Sequence, residues 1–397
     1  MKNKSIHVIL NLLRHEMGSP LGGFQDLFDF PIKLGMTRWS VLLFFVLGVS
    51  VLFFLTQHSG AQEQNQQVYD VACEVKDVPT LKDCIQQAKD KKTDLIKITS
   101  IVECISKDDC EIDMSDMTTP LKMYGISNTE TGFKRIGQFD YSLFTFKNNH
   151  DIVIGSFMID DSSVGDCAAL GAPCPPAIVF EGTKDSMIDQ LRTLNTKGTS
   201  VSILSSKNIV IKNSVFNGSQ NHSLVVSNGT SVSRTIQVEQ NTFTDSGSNA
   251  LIFSASDGKN SIRQNTFTHN HKDSLYDGCV GVCTASQLRI LPFTKDILIE
   301  KNTISDGSID TYTAFGLYAS GIEIAPQLVE NATLRCNKIF SNTGNGVVIP
   351  DRTASTKTIN MTKNSIYNNG INVNFYLQPD DNVQNNCFDA SCKVDGC

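Results

Sequence analysis

Apolar and polar positions alternate along this chain in short runs organised around a recurring asparagine, with an apolar residue three places before it and another two places after it. The pattern occurs about Asn241 (Val238, Phe243), Asn265 (Ile262, Phe267), Asn302 (Ile299, Ile304), Asn337 (Leu334, Ile339), Asn364 (Met361, Ile366) and Asn386 (Val383, Phe388). Two further runs fit with the asparagine replaced: Ile209 and Ile211 precede Ser214 and Phe216, and Ile152 and Ile154 precede Phe157 and Ile159. The intervals between asparagines are 24, 37, 35, 27 and 22 residues. Repeats of this length predict a solenoid, in which each turn buries its apolar face only against its neighbours.

Alternation before the asparagine predicts a strand with one buried face. The asparagine is expected to mark a tight corner, because it tolerates left-handed backbone and its amide can bond coils above and below. A third apolar run follows each loop, from Leu224 to Val226, Leu251 to Phe253, Leu288 to Ile290, Ile322 to Ile324, Val347 to Ile349 and Val373 to Phe375. Three strands per turn make the expected fold all-β, a parallel β-helix over residues 95–388. The stretch Pro79 to Ala88, with Leu81, Ile85 and Ala88 on one face, predicts a short amphipathic helix.

With these features the chain resembles the right-handed parallel β-helix proteins of the pectate-lyase-like superfamily, over roughly residues 79–388. The resemblance implies that the helix within residues 62–94 caps the first coil, whose edge would otherwise be open. It implies little about chemistry, since that superfamily holds polysaccharide lyases, hydrolases, epimerases, tailspikes and adhesins. The paired-Asp and Gly-His-Gly signatures of polygalacturonases, the Asp-Pro-His-Asp of mannuronan epimerases and the Arg-x-Pro-x-x-Arg of pectate lyases are absent.

Composition bears on compartment. Val41 to Leu55 is an uncharged apolar stretch preceded by Arg38 and followed by Ser59-Gly60-Ala61. Residues 1–61 thus read as an N-terminal extension plus either a signal peptide cleaved after Ala61 or a signal anchor, which would be the chain's sole tie to a membrane. All twelve cysteines lie beyond Ala61. Their even number predicts disulfides and a secreted, periplasmic or cell-surface protein, with Cys73/Cys84, Cys104/Cys110, Cys167/Cys174 and Cys279/Cys283 as close pairs. A Cys-containing tail, residues 389–397, follows the solenoid. The formal charge is −7, and discounting the five Lys/Arg and three Asp/Glu of residues 1–61 leaves about −9. No basic, aromatic stripe suggests nucleic acid as a partner.

The candidate chemistry sits on two neighbouring coils with long loops, residues 268–286 and 305–320. Among the positions expected to face outward from the third strand, Val179, Val225, Ile252, Arg289, Glu323, Val348 and Asn374, the charged ones are Arg289 and Glu323. They are expected to be cross-strand neighbours about 4.8 Å apart. Walled by loops carrying His269, His271, Asp306 and Asp310, they form the candidate catalytic set. A cation can hold a sugar carboxylate while a loop base abstracts a proton, whereas glycoside hydrolysis needs two carboxylates. The bland reading of Arg289 and Glu323 is a surface ion pair. His269, His271, Cys279 and Cys283 could be drawn as a zinc set, but their spacing suits a loop disulfide better. The expected ligand is a polysaccharide or other glycan; no cofactor is indicated, and a non-catalytic adhesin or glycan-binding module is the alternative.

Overall fold

The computed structural model describes residues 72–165, 174–255, 258–270, 285–307, 319–325, 329–349, 358–375, 377–391 and 396–397. The chain divides into two units, Met1–Val68 and Tyr69–Cys397. The first unit, with the apolar stretch 41–55, lies outside the described residues. Among the described residues no helix is long and apolar enough to cross a membrane.

The second unit is a parallel β-helix. One sheet of twelve strands and two of ten run along the solenoid, every pairing is parallel, and each coil contributes one strand to each sheet in turn. In one coil, Lys207–Lys212 lies in the twelve-stranded sheet 1, Val215–Asn217 in sheet 2 and Leu224–Ser227 in sheet 3. Each pairs residue for residue with the next coil, as Ile211 with Val238, Phe216 with Phe243 and Val226 with Phe253. Identical registers stack like on like, so Phe216, Phe243 and Phe267 form a column with ring centroids 4.9 and 4.8 Å apart. All three are fully buried, so each turn adds its apolar face to one continuous core.

The corner between sheets 1 and 2 corrects one expectation. The left-handed residue is the one before each asparagine: Gln240, Gln264, Lys301, Cys336, Lys363 and Asn385 all have φ between 56° and 58°. The asparagine itself turns inward, and all but the last, Asn386, are buried. Asn302 Nδ2 donates to Ile262 O at 2.8 Å and to Asn337 Oδ1 at 2.9 Å. Its Oδ1 accepts from Asn265 N and Asn265 Nδ2 at 2.9 and 3.0 Å. Backbone groups that a sharp corner would leave without strand partners are therefore bonded coil to coil.

The N-terminal helix, α1, spans Val78–Lys89 and buries Leu81, Cys84 and Ala88. Asp77 starts it with a capping box, its carboxylate accepting from Thr80 N at 2.9 Å. The strand that precedes the helix, Cys73–Val75, pairs with Leu95–Ile98, which follows it. A second short helix, α2 (Lys107–Cys110), was not signalled by the apolar pattern. Disulfides Cys73–Cys84 and Cys104–Cys110 fasten this end, as proximity suggested. Cys336–Cys397 joins residues 61 apart and ties the tail to the side of the solenoid. Cys174 is also disulfide-bonded, while Cys167, Cys279 and Cys283 lie outside the described residues.

Asp161 lies within the strand Met158–Val164. A bulge there sets three steps from Asp160 to Ser163 against two from Lys134 to Ile136. The extra residue brings Asp161, which is fully buried, onto Arg135.

Candidate functional site

Arg289 lies on the sheet 3 strand Ala285–Ile290 and Glu323 on its neighbour Ala319–Ile324, in direct register. Leu288, Ile290, Ile322 and Ile324 are fully buried, which turns Arg289 and Glu323 to the outer face. Arg289 Nε lies 3.4 Å from Glu323 Oε1, close enough for an ion pair but not aligned for a hydrogen bond, and Nε is buried without a hydrogen-bond acceptor. The two side chains differ sharply in access. That of Arg289 is 29% exposed, that of Glu323 only 3%.

Ser286, which the sequence reading did not single out, completes the arrangement. Its Oγ is 3.2 Å from Glu323 Oε2 and 3.1 Å from Asn249 Oδ1. Asn249 Oδ1 also takes the Ser286 N–H at 3.0 Å, so the single hydroxyl hydrogen is available to the carboxylate. On the same strand Gln287 is fully buried, accepting from Asn270 Nδ2 at 3.0 Å and donating to Ser305 O and Asn342 Oδ1, both at 2.7 Å. Through Gln287 the strand is thus anchored to Asn270 of its own coil and to the next two coils. Only side-chain amides buried away from sequence neighbours do this, and no local spacing advertises them.

The column containing Arg289 and Glu323 is continuous. Thr145, Val179, Ser202, Val225 and Ile252 precede them on successive coils and Val348 and Asn374 follow. A pairable cation therefore stands at the end of a smooth floor of small and branched apolar side chains, with Val179, Val225 and Ile252 partly exposed.

His269 and Asp306 occupy equivalent corners between sheets 2 and 3, immediately after the paired strands Thr266–Thr268 and Thr303–Ser305. Both are left-handed, with φ of 52° and 57°, and the same corner holds Asn195, Gly218, Asp245, Ser341 and Asn368, all with positive φ. The corner conformation alone therefore accounts for much of their residue type. His269 is exposed and its Nδ1 lies 3.1 Å from Thr268 Oγ1. Asp306 is partly buried, and its N–H donates to Phe340 O at 3.4 Å. His271 and Asp310 lie outside the described residues, as do Cys279 and Cys283. Among the described residues no three His, Cys, Asp or Glu side chains are grouped to hold a metal ion.

A cleft between α1 and α2, lined by Leu81, Ile85, Asp108 and Glu111 among others, belongs to the cap and not to these coils.

A family model described as right handed beta helix region matches residues 126–267 and 176–388. Among solved structures the chain is similar to an alginate lyase from Paenibacillus sp. str. FPU-7, at 10% identity over 78% of this chain and 99% of that one, with a TM-score of 0.53. PfbA, a surface adhesin of Streptococcus pneumoniae, aligns at 14% identity over 79% of this chain and 81% of its own, with a TM-score of 0.52. The A-module of the Azotobacter vinelandii mannuronan C-5 epimerase AlgE4 aligns at 11% identity over 80% and 98%, with a TM-score of 0.50. No curated protein matches the chain by sequence. These structural likenesses concern the fold, which enzymes and an adhesin share. Its asparagine-cornered coils, three parallel sheets and family match together make the chain a member of the right handed beta helix region family.

Proposed function

We propose that this chain is an exported carbohydrate-active β-helix protein that holds a glycan along the outer face of sheet 3, with Arg289 as the anchor for an acidic group of the ligand. The observation that carries the reading is the unequal pair. Glu323 is almost fully buried and engaged by Ser286, so it orients Arg289 rather than meeting a ligand itself. Arg289 keeps 29% of its side chain in solvent beside the apolar floor of Val179, Val225 and Ile252. Arginine suits planar carboxylates, and apolar floors suit sugar faces. Export is supported by the disulfides, which persist in oxidising compartments.

If the protein is a lyase, Arg289 neutralises a uronate carboxylate while a loop histidine, His269 or His271, takes the C5 proton; the C4–C5 double bond forms as the C4–O glycosidic bond breaks, and the departing oxygen takes a proton from solvent. For hydrolysis the acids are Glu323 with Asp306 or Asp310. Burial of Glu323 disfavours that pair and gives weight to a second reading, a non-catalytic glycan-binding or adhesive protein.

Calorimetric titration with oligouronates and with neutral oligoglucans, alongside ultraviolet detection of unsaturated product, separates these readings. Arg289→Ala is expected to weaken uronate binding at least tenfold, in line with about 1.5–3 kcal/mol for a charge-assisted bond, and Arg289→Lys to recover part of it. Binding without unsaturated or hydrolysed product selects the adhesive reading. Equal affinity in wild type and Arg289→Ala would move the site off this face.

A further inference from the structure

Sheet 1 carries on its outer face a column of charges at one register position, one per coil: Asp189, Lys212, Glu239, Arg263, Glu300 and Arg335. The signs alternate without exception over six coils. Within the chain Lys212 reaches Asp189 at 3.6 Å, Arg263 reaches Glu239 at 3.8 Å and Glu300 at 3.2 Å, and Arg335 Nε donates to Glu300 at 2.8 Å. Apart from Glu300 the six keep between 22% and 50% of their side chains exposed.

An alternating column with an even number of members has a property that an odd one lacks. Turned end for end, it presents every charge to its opposite, whereas an odd column would lay like on like. The geometry points to this face as a self-association surface, on which a second copy of the chain lies antiparallel about a two-fold axis passing between the strands of Glu239 and Arg263. Asp189 then meets Arg335 of the second copy, Lys212 meets its Glu300 and Glu239 its Arg263, each pair made twice. This is the isologous contact that a two-fold dimer requires.

The neighbouring column obeys the same symmetry. Met187, Val210, Gln237, Ser261, Leu298 and Thr333 are in register on those six strands and are partly exposed except Ser261, which is buried. Reversal places Val210 on Leu298 of the second copy, Gln237 on its Ser261 and Met187 on its Thr333, so apolar meets apolar nearest the axis after the polar pair. Five residues toward the start of each strand the match is mixed. Lys184 meets Glu330 while Lys207 meets Lys295, a rim repulsion that solvent and salt screen.

Every strand of the sheet from Leu121–Gly125 to Asn382–Gln384 has a counterpart in this arrangement. At about 4.8 Å per strand and a width of about 15 Å, the contact covers on the order of 700 Å² per copy, close to the ~800 Å² typical of stable interfaces.

Sedimentation velocity and light scattering on the full chain, at low and high salt, test the inference. Wild type is expected to be a dimer whose dissociation constant rises with salt. Glu239→Arg and Arg263→Glu each put like charges together twice across the axis and should weaken the dimer at least tenfold. The double variant Glu239→Arg/Arg263→Glu restores opposite charges between copies while creating like-charge neighbours within each copy. It should therefore regain the dimer while melting lower than wild type. A ladder serving only the sheet would instead give a monomeric wild type, or single variants as associated as wild type, and either result overturns the inference. Circular dichroism confirms that each variant is folded, and Arg289→Ala, on another face, should leave the mass unchanged.

Discussion

At the scale of single residues the inward asparagines carry the corners. Asn302 is bonded on both sides, to Asn265 and Asn337 and to the carbonyl of Ile262. Asn302→Leu keeps the volume roughly but strands the Asn265 amide and the Ile262 carbonyl in the core. The expected cost is about 1–3 kcal/mol for each buried group left unmet. A denaturant midpoint equal to that of wild type would mean that water or a shifted corner replaces the ladder. The left-handed residue before it, Lys301, is a different matter, since its side chain is exposed and its backbone alone is constrained. Lys301→Gly is accordingly the milder change, because glycine adopts positive φ freely.

At the scale of elements, the bulged strand Met158–Val164 shows how one extra residue redirects a side chain. It delivers Asp161 to Arg135, which donates through Nε at 2.7 Å and also through the terminal guanidinium nitrogen, while the other nitrogen reaches Tyr141 O at 3.3 Å. Phe139 lies under the guanidinium at 5.3 Å. The Tyr141 hydroxyl donates to Ser106 O at 2.8 Å, and burial holds its pKa well above the ordinary tyrosine value. Breaking such a pair from one side leaves a buried charge without its counter-ion. Asp161→Ala is expected to cost about 3–5 kcal/mol, whereas replacing both partners with apolar residues should cost much less. Thermal melts of Asp161→Ala and of Arg135→Met/Asp161→Leu provide the comparison, and equal losses in the two would assign the effect to packing instead of charge.

At the scale of the whole molecule, a solenoid's stability is nearly a sum over neighbouring coils, so its ends matter more than its middle. Helix α1 covers one end, while at the other Ile371, Leu377 and Phe388 remain exposed. The Cys336–Cys397 link restrains the tail there, and a loop of its 61-residue separation is worth about 4 kcal/mol by the chain-entropy estimate. Cys397→Ser should thus speed hydrogen exchange in the last two coils and leave the coils around Phe216 protected. Uniform loss of protection would show the solenoid to be a single cooperative unit. The repeat was legible in the sequence because burial acts on each coil alike: an inward side chain must be apolar, the corner amide must be bonded, and both demands recur at every turn. The same regularity made Arg289 and Glu323 readable as register partners, by counting. What counting could not supply was depth. That Glu323 is buried while Arg289 is partly exposed is a matter of packing between coils, Ser286, Asn249 and Gln287 fasten the strand through contacts between residues 17 to 55 positions apart, and the left-handed corners of His269 and Asp306 are visible only in the fold. The sequence by itself determined the coil, a local consequence of periodic burial; only the tertiary structure decided which polar groups share a face, because loops of unequal length set that neighbourhood without leaving a period.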